Sequence, residues 1–325
     1  KTLLDEGAQV TLCDVKSKNP LTFFARARRL RKILETVKPD AVTAHSRVPA
    51  WLFLWANRRL GIPWITFAHG ANSPSPYSRV MTMGDLTVAP SQYIADYLKE
   101  HYAIANERIR VIPRAIEKEK FDTTRLDEGF IAQKRREWGL EGRFTVMGVG
   151  RITQLKGYDT LIRATALLKE RLPNVKTVIV GEAEELRKDV EEDLKRLVKE
   201  LNLEATVVFA GNQQKVAECL SLANTVVSAN TKKAEAFGRS MAEALAMGKP
   251  VVAAAFGGAL DIVQNGENGF LVPLETATAE GFAEAIFKVS QTKFGDLRTP
   301  ALEKFSFERM VGASLAVYAE LGIRK

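Results

Sequence analysis

Cysteine is nearly absent from this chain: 2 in 325 residues, Cys13 and Cys219. That excludes a disulfide framework and leads us to expect a reducing compartment. Histidine is almost as scarce, with His45, His69 and His101 alone. Three histidines and two cysteines at these distances offer no structural zinc spacing. No run of about 18 apolar residues occurs, so no transmembrane helix is expected. No Asp-x-Asp-type pair follows an apolar strand, so the usual carboxylate anchor for a divalent ion is missing. Short-period repeats and low-complexity tracts are lacking too. What is present is ordinary for a globular protein: 46% apolar and 26% charged residues. The length predicts two domains.

The charge is uneven. Residues 1–123 hold 19 Lys and Arg against 12 Asp and Glu, which accounts for +7 of the chain's net +8. Much of it falls in FFARARRLRKIL, residues 23–34. There Phe23, Phe24, Ala27, Leu30, Ile33 and Leu34 share one helical face, with Arg26, Arg28, Arg29, Arg31 and Lys32 around the rest. An ordinary surface helix of an α/β layer has this pattern. Peripheral contact with an anionic membrane is a second reading. Nucleic acid is not expected as a partner, because no recognised motif accompanies the charge.

Strand and helix patterns alternate along the chain. The opening reads as a partial helix and then a strand at Gln9–Val15. An α/β chain ordinarily begins with a strand, so upstream elements are read as missing. A helix from Leu21 to about Val37 follows, then strands at 40–45, 64–69, 85–90 and 108–113, with helices at 49–60 and 91–101. Ser91 is the expected cap of the latter. Residues 114–142 are charged and less periodic and read as a linker ending in a helix. The alternation restarts with strands at 144–151, 176–181, 205–211, 225–229 and 251–255, and a C-terminal helix is expected within 306–322. Right-handed strand–helix–strand steps throughout predict two doubly wound α/β domains.

Two stretches carry chemistry. In EAFGRSMAEALAMGKPVV, residues 235–252, Gly238 opens a helix, and Gly248 with Pro250 ends it before a buried strand. Glu235 lies in the loop before that helix and Glu243 about one turn inside it. The first amides of a helix lack intrahelical partners and attract anions. Two carboxylates beside such a site suit a hydroxyl-rich group attached to the anion. Equally, Glu235 as an electrostatic cap and Glu243 as a solvated residue satisfy the spacing. In GVGRITQLKGYDTLIRA, residues 148–164, Gly148 and Gly150 close a strand ahead of Arg151 and Lys156. Glycine admits close backbone approach, and the two cations suit a diphosphate. A glycine turn with two solvated bases is the alternative. The Pro/Ser-rich stretch 69–85 is a candidate mobile acceptor loop.

Together these stretches resemble the retaining glycosyltransferases of family 4. The resemblance is carried by GVGRITQLKGYDTLIRATALL and by EAFGRSMAEALAMGKPVVAAAFGGALDIVQNGENGFLVP, with Glu235 and Glu243 as the Glu-x7-Glu pair. KPDAVTAHS, GIPWITFAHG and RIRVIPRAI extend it toward the N-terminus, so nearly the whole chain is covered. It implies the GT-B fold, two facing Rossmann-like doubly wound domains with a cleft between them. The acceptor-side domain would be residues 1–123 completed by a helix in 305–325. The nucleotide-sugar domain would be 124–304. The family's first strand and glycine-rich loop do not occur in these 325 residues, so the N-terminus is read as truncated.

The resemblance also implies roles. Arg151 and Lys156 would neutralise the donor diphosphate, Glu235 would face the transferred sugar, and Glu243 would bind the ribose. Amides from Ala236, Phe237, Gly238, Arg239 and Ser240 would hold sugar hydroxyls and phosphate. Gly150, Gly181, Glu182, Gly211 and Asn212 would line the nucleotide pocket. His69, at the end of a strand, would contact the donor sugar; His45 is read as structural.

The implied reaction moves a sugar from a UDP-, GDP- or ADP-type donor to a hydroxyl of a glycan or lipid-linked acceptor, with retention of configuration. A lipopolysaccharide or capsule precursor is the acceptor suggested by the basic N-terminal part. No cofactor or metal is expected, since Arg151, Lys156 and the helix start would take the metal's place. A nucleotide-sugar epimerase or a phosphorylase on the same fold is the alternative. The expected location is cytoplasmic, including the inner face of the cytoplasmic membrane.

Overall fold

The computed structural model describes residues 9–11, 13–15, 17 and 19–323. It divides into two compact units: residues up to Ile112 together with those from Ala313 on, and Pro113–Gly312.

Among the described residues, the first unit holds one parallel sheet in the order β1-β2-β3-β4. Its strands are β1 (Val42–Ala44), β2 (Trp64–Phe67), β3 (Leu86–Ala89) and β4 (Ile109–Val111). WITF and LTVA are continuous apolar or Thr runs, as strands covered on both faces must be. Helix α1 (Phe23–Val37) precedes β1, α2 (Arg47–Ala56) links β1 to β2, and α3 (Gln92–Tyr102) links β3 to β4. Ser91 caps α3 by accepting the Ile94 N–H at 3.2 Å.

Three expectations for this unit need correction. The described residues between Gln9 and Val15 lie in no strand, and the partial helix expected before them lies outside the described residues. Arg26 is not on the solvated side of α1 but is 7% exposed, whereas Phe24 is 57% exposed. The Arg26 guanidinium donates to the carbonyls of Ser17 (2.7 Å) and Asn19 (2.9 Å), so its burial is compensated. Helical periodicity counts charge and cannot see such carbonyl partners. The stretch 69–85 is not a free loop: Ser78–Thr82 forms a 3-10 turn with Ser78, Val80, Met81 and Thr82 buried. The indole of Trp51 also donates to the Tyr77 carbonyl at 2.9 Å.

The second unit carries a parallel sheet in the order β10-β9-β8-β5-β6-β7. Its first strands are β5 (Phe144–Val149), β6 (Val175–Val180) and β7 (Val207–Gly211). The others are β8 (Thr225–Ser228), β9 (Val251–Ala254) and β10 (Gly269–Val272). Its helices begin with α4 (Glu128–Glu137), α5 (Tyr158–Arg171), α6 (Lys188–Glu200) and α7 (Val216–Ser221). After them come α8 (Arg239–Ala246), α9 (Ala259–Ile262), α10 (Ala279–Gln291) and α11 (Arg298–Lys304); α12 (Phe307–Glu320) starts in this unit, and its residues from Ala313 on are counted with the first. Alternate β5 residues feed different cores. Val146 packs with Leu161, Ile162 and Phe282, while Met147 packs with Met241, Leu245 and Leu220. Side chains alternate across a strand, so these are the two faces of one sheet.

Residues 114–142, expected as a linker, are built into this unit. Ile116, Phe121, Ile131, Trp138 and Leu140 are buried in its core, and the Ile116 N–H donates to the Phe305 carbonyl at 2.8 Å. The sequence reading did not assign β10 or α10. GFLV is four residues long and bounded by glycine and proline, too short for periodicity to register.

Candidate functional site

The strand order of the second sheet reverses between β5 and its neighbour β8. From β5 the chain runs outward through β6 and β7, and from β8 it runs the other way through β9 and β10. In an open parallel sheet, the loops leaving the C-terminal ends at such a reversal splay apart and leave a crevice. Here those loops are 150–157 and 229–238; the first lies inside the stretch 148–164 singled out from the sequence, and the second runs into the other, 235–252.

Glycines bring them together. At Gly157 the φ angle is +67°, and a Cβ there would lie 2.0 Å from the Ala229 carbonyl oxygen. Gly181 has φ +140°, and a Cβ would lie 2.1 Å from the Gly150 carbonyl oxygen. Neither position tolerates a side chain. The Tyr158 hydroxyl donates to that same Gly150 carbonyl at 2.9 Å. Burial, with the nearby Glu235, pushes the Tyr158 phenol well above the usual tyrosine range, so it stays a donor. On the other loop, the Gly258 N–H donates to the Glu235 carbonyl at 2.8 Å.

The crevice is a pocket of about 720 Å³. Gly150, Arg151 and Lys156 line it from the β5 loop, and Glu235 to Ser240 with Glu243 from the β8 loop and α8. The lining includes five cations, Arg114, Arg151, Lys156, Lys233 and Arg239, against the carboxylates of Glu235 and Glu243. Lys156 forms an ion pair with Glu235, half-buried between the loops. Arg239 pairs with Glu243 at 2.9 Å, one helical turn on. Glu243 is itself largely buried, and desolvation raises its pKa despite Arg239. Arg151 pairs with Glu184 at the exposed edge. α8 begins at Gly238, whose φ is +100°, with no side-chain cap. Its first amides, at Arg239 and Ser240, are therefore available to an anion in the pocket.

A second hollow of about 360 Å³ adjoins the first and shares Val149, Gly150, Arg151 and Val216 with it. Gly181, Glu182 and Asn212 line it. Gly211 stands behind them, accepting the Gly181 N–H at 2.9 Å. One connected surface thus gathers the sequence-selected residues of the second unit. Sequence reasoning missed Arg114, Thr153, Asn230 and Lys233 on the same lining. The Lys232-Lys233 pair just ahead of Glu235 was the available signal. Asn230 closes that turn, its side chain accepting the Lys233 N–H at 3.2 Å.

His69 belongs to the first unit, two residues beyond the end of β2. His45 follows the end of β1, and its Nδ1 lies 3.0 Å from His69 Nε2. The sequence reading had set His45 aside. The repeated Ala-His at two adjacent strand ends was the cue. Cys219 is buried, and burial pushes its thiol up to about 12, so it is an inert core residue. Among the described residues, no group of three or more His, Cys, Asp or Glu is placed to hold a metal ion, and no helix is long and apolar enough to cross a membrane.

Residues 130–299, just over half the chain, match the sequence model of the family described as "Glycosyl transferases group 1". The chain belongs to the group 1 glycosyltransferases. Residues 6–120 match a second model, "Glycosyltransferase Family 4". Among curated relatives, the D-inositol 3-phosphate glycosyltransferase of Acidothermus cellulolyticus is 30% identical over 275 residues, covering 77% of this chain. The chain spans 60% of that relative's length. A glycosyltransferase structure from Rickettsia africae ESF-5 superposes with a TM-score of 0.87 at 25% identity, over 99% of this chain and 87% of that one. Anabaena Alr3699/HepE, crystallised with UDP and glucose, gives 0.78 at 22% identity, over 99% and 88%. These likenesses place this group 1 chain, with its two parallel α/β units, in the GT-B fold class.

Proposed function

We propose that this chain transfers a sugar from a nucleoside diphosphate donor to an acceptor hydroxyl. The carrying observation is the 720 Å³ pocket at the strand-order reversal, where Arg151, Lys156 and the start of α8 face a common space beside Glu235 and Glu243. Breaking the bond from the anomeric carbon to a diphosphate builds negative charge on the leaving phosphate while the ring becomes oxocarbenium-like. Arg151, Lys156 and the α8 amides stabilise that charge without needing a divalent ion. Glu235, held next to Lys156, faces the sugar, and Glu243 binds the ribose. The hollow bounded by Gly181, Glu182 and Asn212 receives the base. The second unit, on this reading, is the donor domain and the first the acceptor side.

UDP is the nucleotide favoured, because the Anabaena neighbour of the same fold was crystallised with UDP. A glycan, a lipid-linked sugar or a phosphorylated polyol, as in the inositol-phosphate relatives, fits the positive surplus of residues 1–123. Retention of configuration follows from the family resemblance, while the positive surplus of residues 1–123 favours lipopolysaccharide or capsule precursors as acceptors and contact with the membrane's inner face.

Thermal shift against UDP-, GDP- and ADP-glucose tests the donor reading, since a ligand of the folded state raises its melting temperature. UDP-glucose should give the largest rise, with EDTA present or absent. No rise with any of the three refutes donor binding.

A further inference from the structure

Parallel pairing sets Ala44 opposite Thr66, so His45 continues β1 alongside Phe67. The rings of His45 and Phe67 stack at 4.5 Å, 17° from parallel. His69, two residues after Phe67, leaves the chain on the same side as Phe67. Its ring is 15° from parallel with His45, centroids 5.2 Å apart, which places His45 Nδ1 3.0 Å from His69 Nε2. That separation is a hydrogen-bond distance.

Two imidazole nitrogens this close cannot both carry protons, because the N–H groups would collide. They cannot both be bare, because the lone pairs would repel. One proton must lie between them. We propose that His45 is a positioning residue that fixes the ring plane and tautomer of His69 through this N–H···N bond. Burial against Phe67 lowers the basicity of His45, consistent with a neutral pair. A second positive charge on the pair is opposed by like-charge repulsion.

The geometry dictates a specific outcome. If His45 Nδ1 donates, His69 Nε2 is bare and His69 carries its proton on Nδ1. If His69 Nε2 donates, His45 Nδ1 is bare and His45 is protonated on Nε2. Either way both rings adopt the same-named tautomer. The functional meaning rests on the family resemblance, which implies that His69 contacts the donor sugar; a fixed tautomer decides whether the ring offers that sugar a donor or an acceptor.

The test is long-range proton–nitrogen NMR of the full chain labelled with 15N-histidine, at a pH where imidazoles are neutral. Three histidines make assignment by single substitution direct. His101, packed edge-on against Tyr97, is the internal control. We expect His45 and His69 to show matching tautomers. In His45→Phe the ring stays but the hydrogen bond goes, and the His69 nitrogen signals should move toward a tautomer mixture while His101 stays put. In His45→Asn, whose amide reaches the Nδ1 position, they should return toward the wild-type pattern. Opposite tautomers in the wild type overturn the proposal, as do His69 signals that His45→Phe leaves unmoved. Should His45→Phe fail to fold, the wild-type tautomers alone decide. The experiment needs no donor, so its failure is distinct from failure of the donor reading, which the nucleotide-sugar thermal shift tests.

Discussion

Both units put their noteworthy residues at the C-terminal ends of parallel strands, but they build them by different means. In the second unit the shape of the crevice is set by backbone. Gly157 and Gly181 hold positive φ angles, and at each a carbonyl occupies the space a Cβ would need. Charged side chains then hang from that fixed frame. In the first unit the strand ends carry rings, with Phe67, His45 and His69 nearly parallel. Beside His69, Gly70 has open space around its Cβ position and no positive φ. The first site is therefore specified by side chains and the second by chain geometry. A glycine frame suits a ligand held by amides and phosphate charge, whereas a ring cluster suits one held by directional hydrogen bonds.

The largest expected effect is on chemistry. Replacing Lys156 with alanine removes a cation from the leaving-group side, and turnover should fall by about 10²-fold or more, or about 2.7 kcal/mol of transition-state stabilisation. Melting should fall, because Glu235, only 16% exposed, loses its cation, so turnover is compared at a temperature where both proteins are folded. Near-normal kcat in a steady-state assay would remove Lys156 from the diphosphate role.

Backbone control comes next. Gly181→Ala drives a methyl into the Gly150 carbonyl and should lower stability by about 2–4 kcal/mol. Gly70→Ala, the matching change beside His69, should stay within about 0.5 kcal/mol. Equal losses in paired urea melts would erase the distinction between the two sites.

That distinction also explains what was legible from the sequence. Loops whose shape depends on glycine announce themselves, because glycine followed by cations or by a helix start is a local pattern. Gly150, Arg151, Lys156 and the Glu235–Glu243 segment could be read for that reason. The contact of His45 with His69 depends on pairing between strands 24 residues apart, and the repeated Ala-His was its one trace in the sequence. Arg26 was misread for a similar reason, since its carbonyl partners lie in an irregular segment before the helix. Most strands of both sheets were legible as short apolar runs. Residues 114–142 were not legible as part of a domain, because Ile116, Phe121 and Trp138 are spaced without period and join a core whose other members lie far along the chain, among them Met241 and Leu245 of α8 and Ala301 of α11.

A smaller effect separates binding from folding within the second unit. Burial raises the pKa of Glu243, so the folded state binds a proton more tightly there than the unfolded chain does. Stability from this group therefore falls as pH rises through the carboxylate range, and at neutral pH the ionised side chain is a net burden. Glu243→Gln should melt slightly higher than wild type at neutral pH, with the difference vanishing in acid. The same change should weaken UDP-glucose binding by roughly tenfold, through loss of a charged acceptor for the ribose. Lower melting with intact affinity would assign Glu243 to the fold instead.

The smallest effect belongs to the first unit, where α12 meets β4. Arg110 and Glu320 form a two-pronged ion pair, and the Arg110 hydrogen bonds hold the Glu320 carboxyl below its ordinary range. A lowered carboxylate pKa contributes stability that is present above the unfolded value and fades as pH drops through the folded one. Both side chains are more than 30% exposed, so water and salt screen the pair. Glu320→Gln should therefore cost only about 0.5 kcal/mol at neutral pH and low ionic strength. That cost should disappear in high salt or in acid, with donor-induced stabilisation unchanged. A cost that persists in salt would mean that the α12 contact is fixed by its packing at Glu320 rather than by charge.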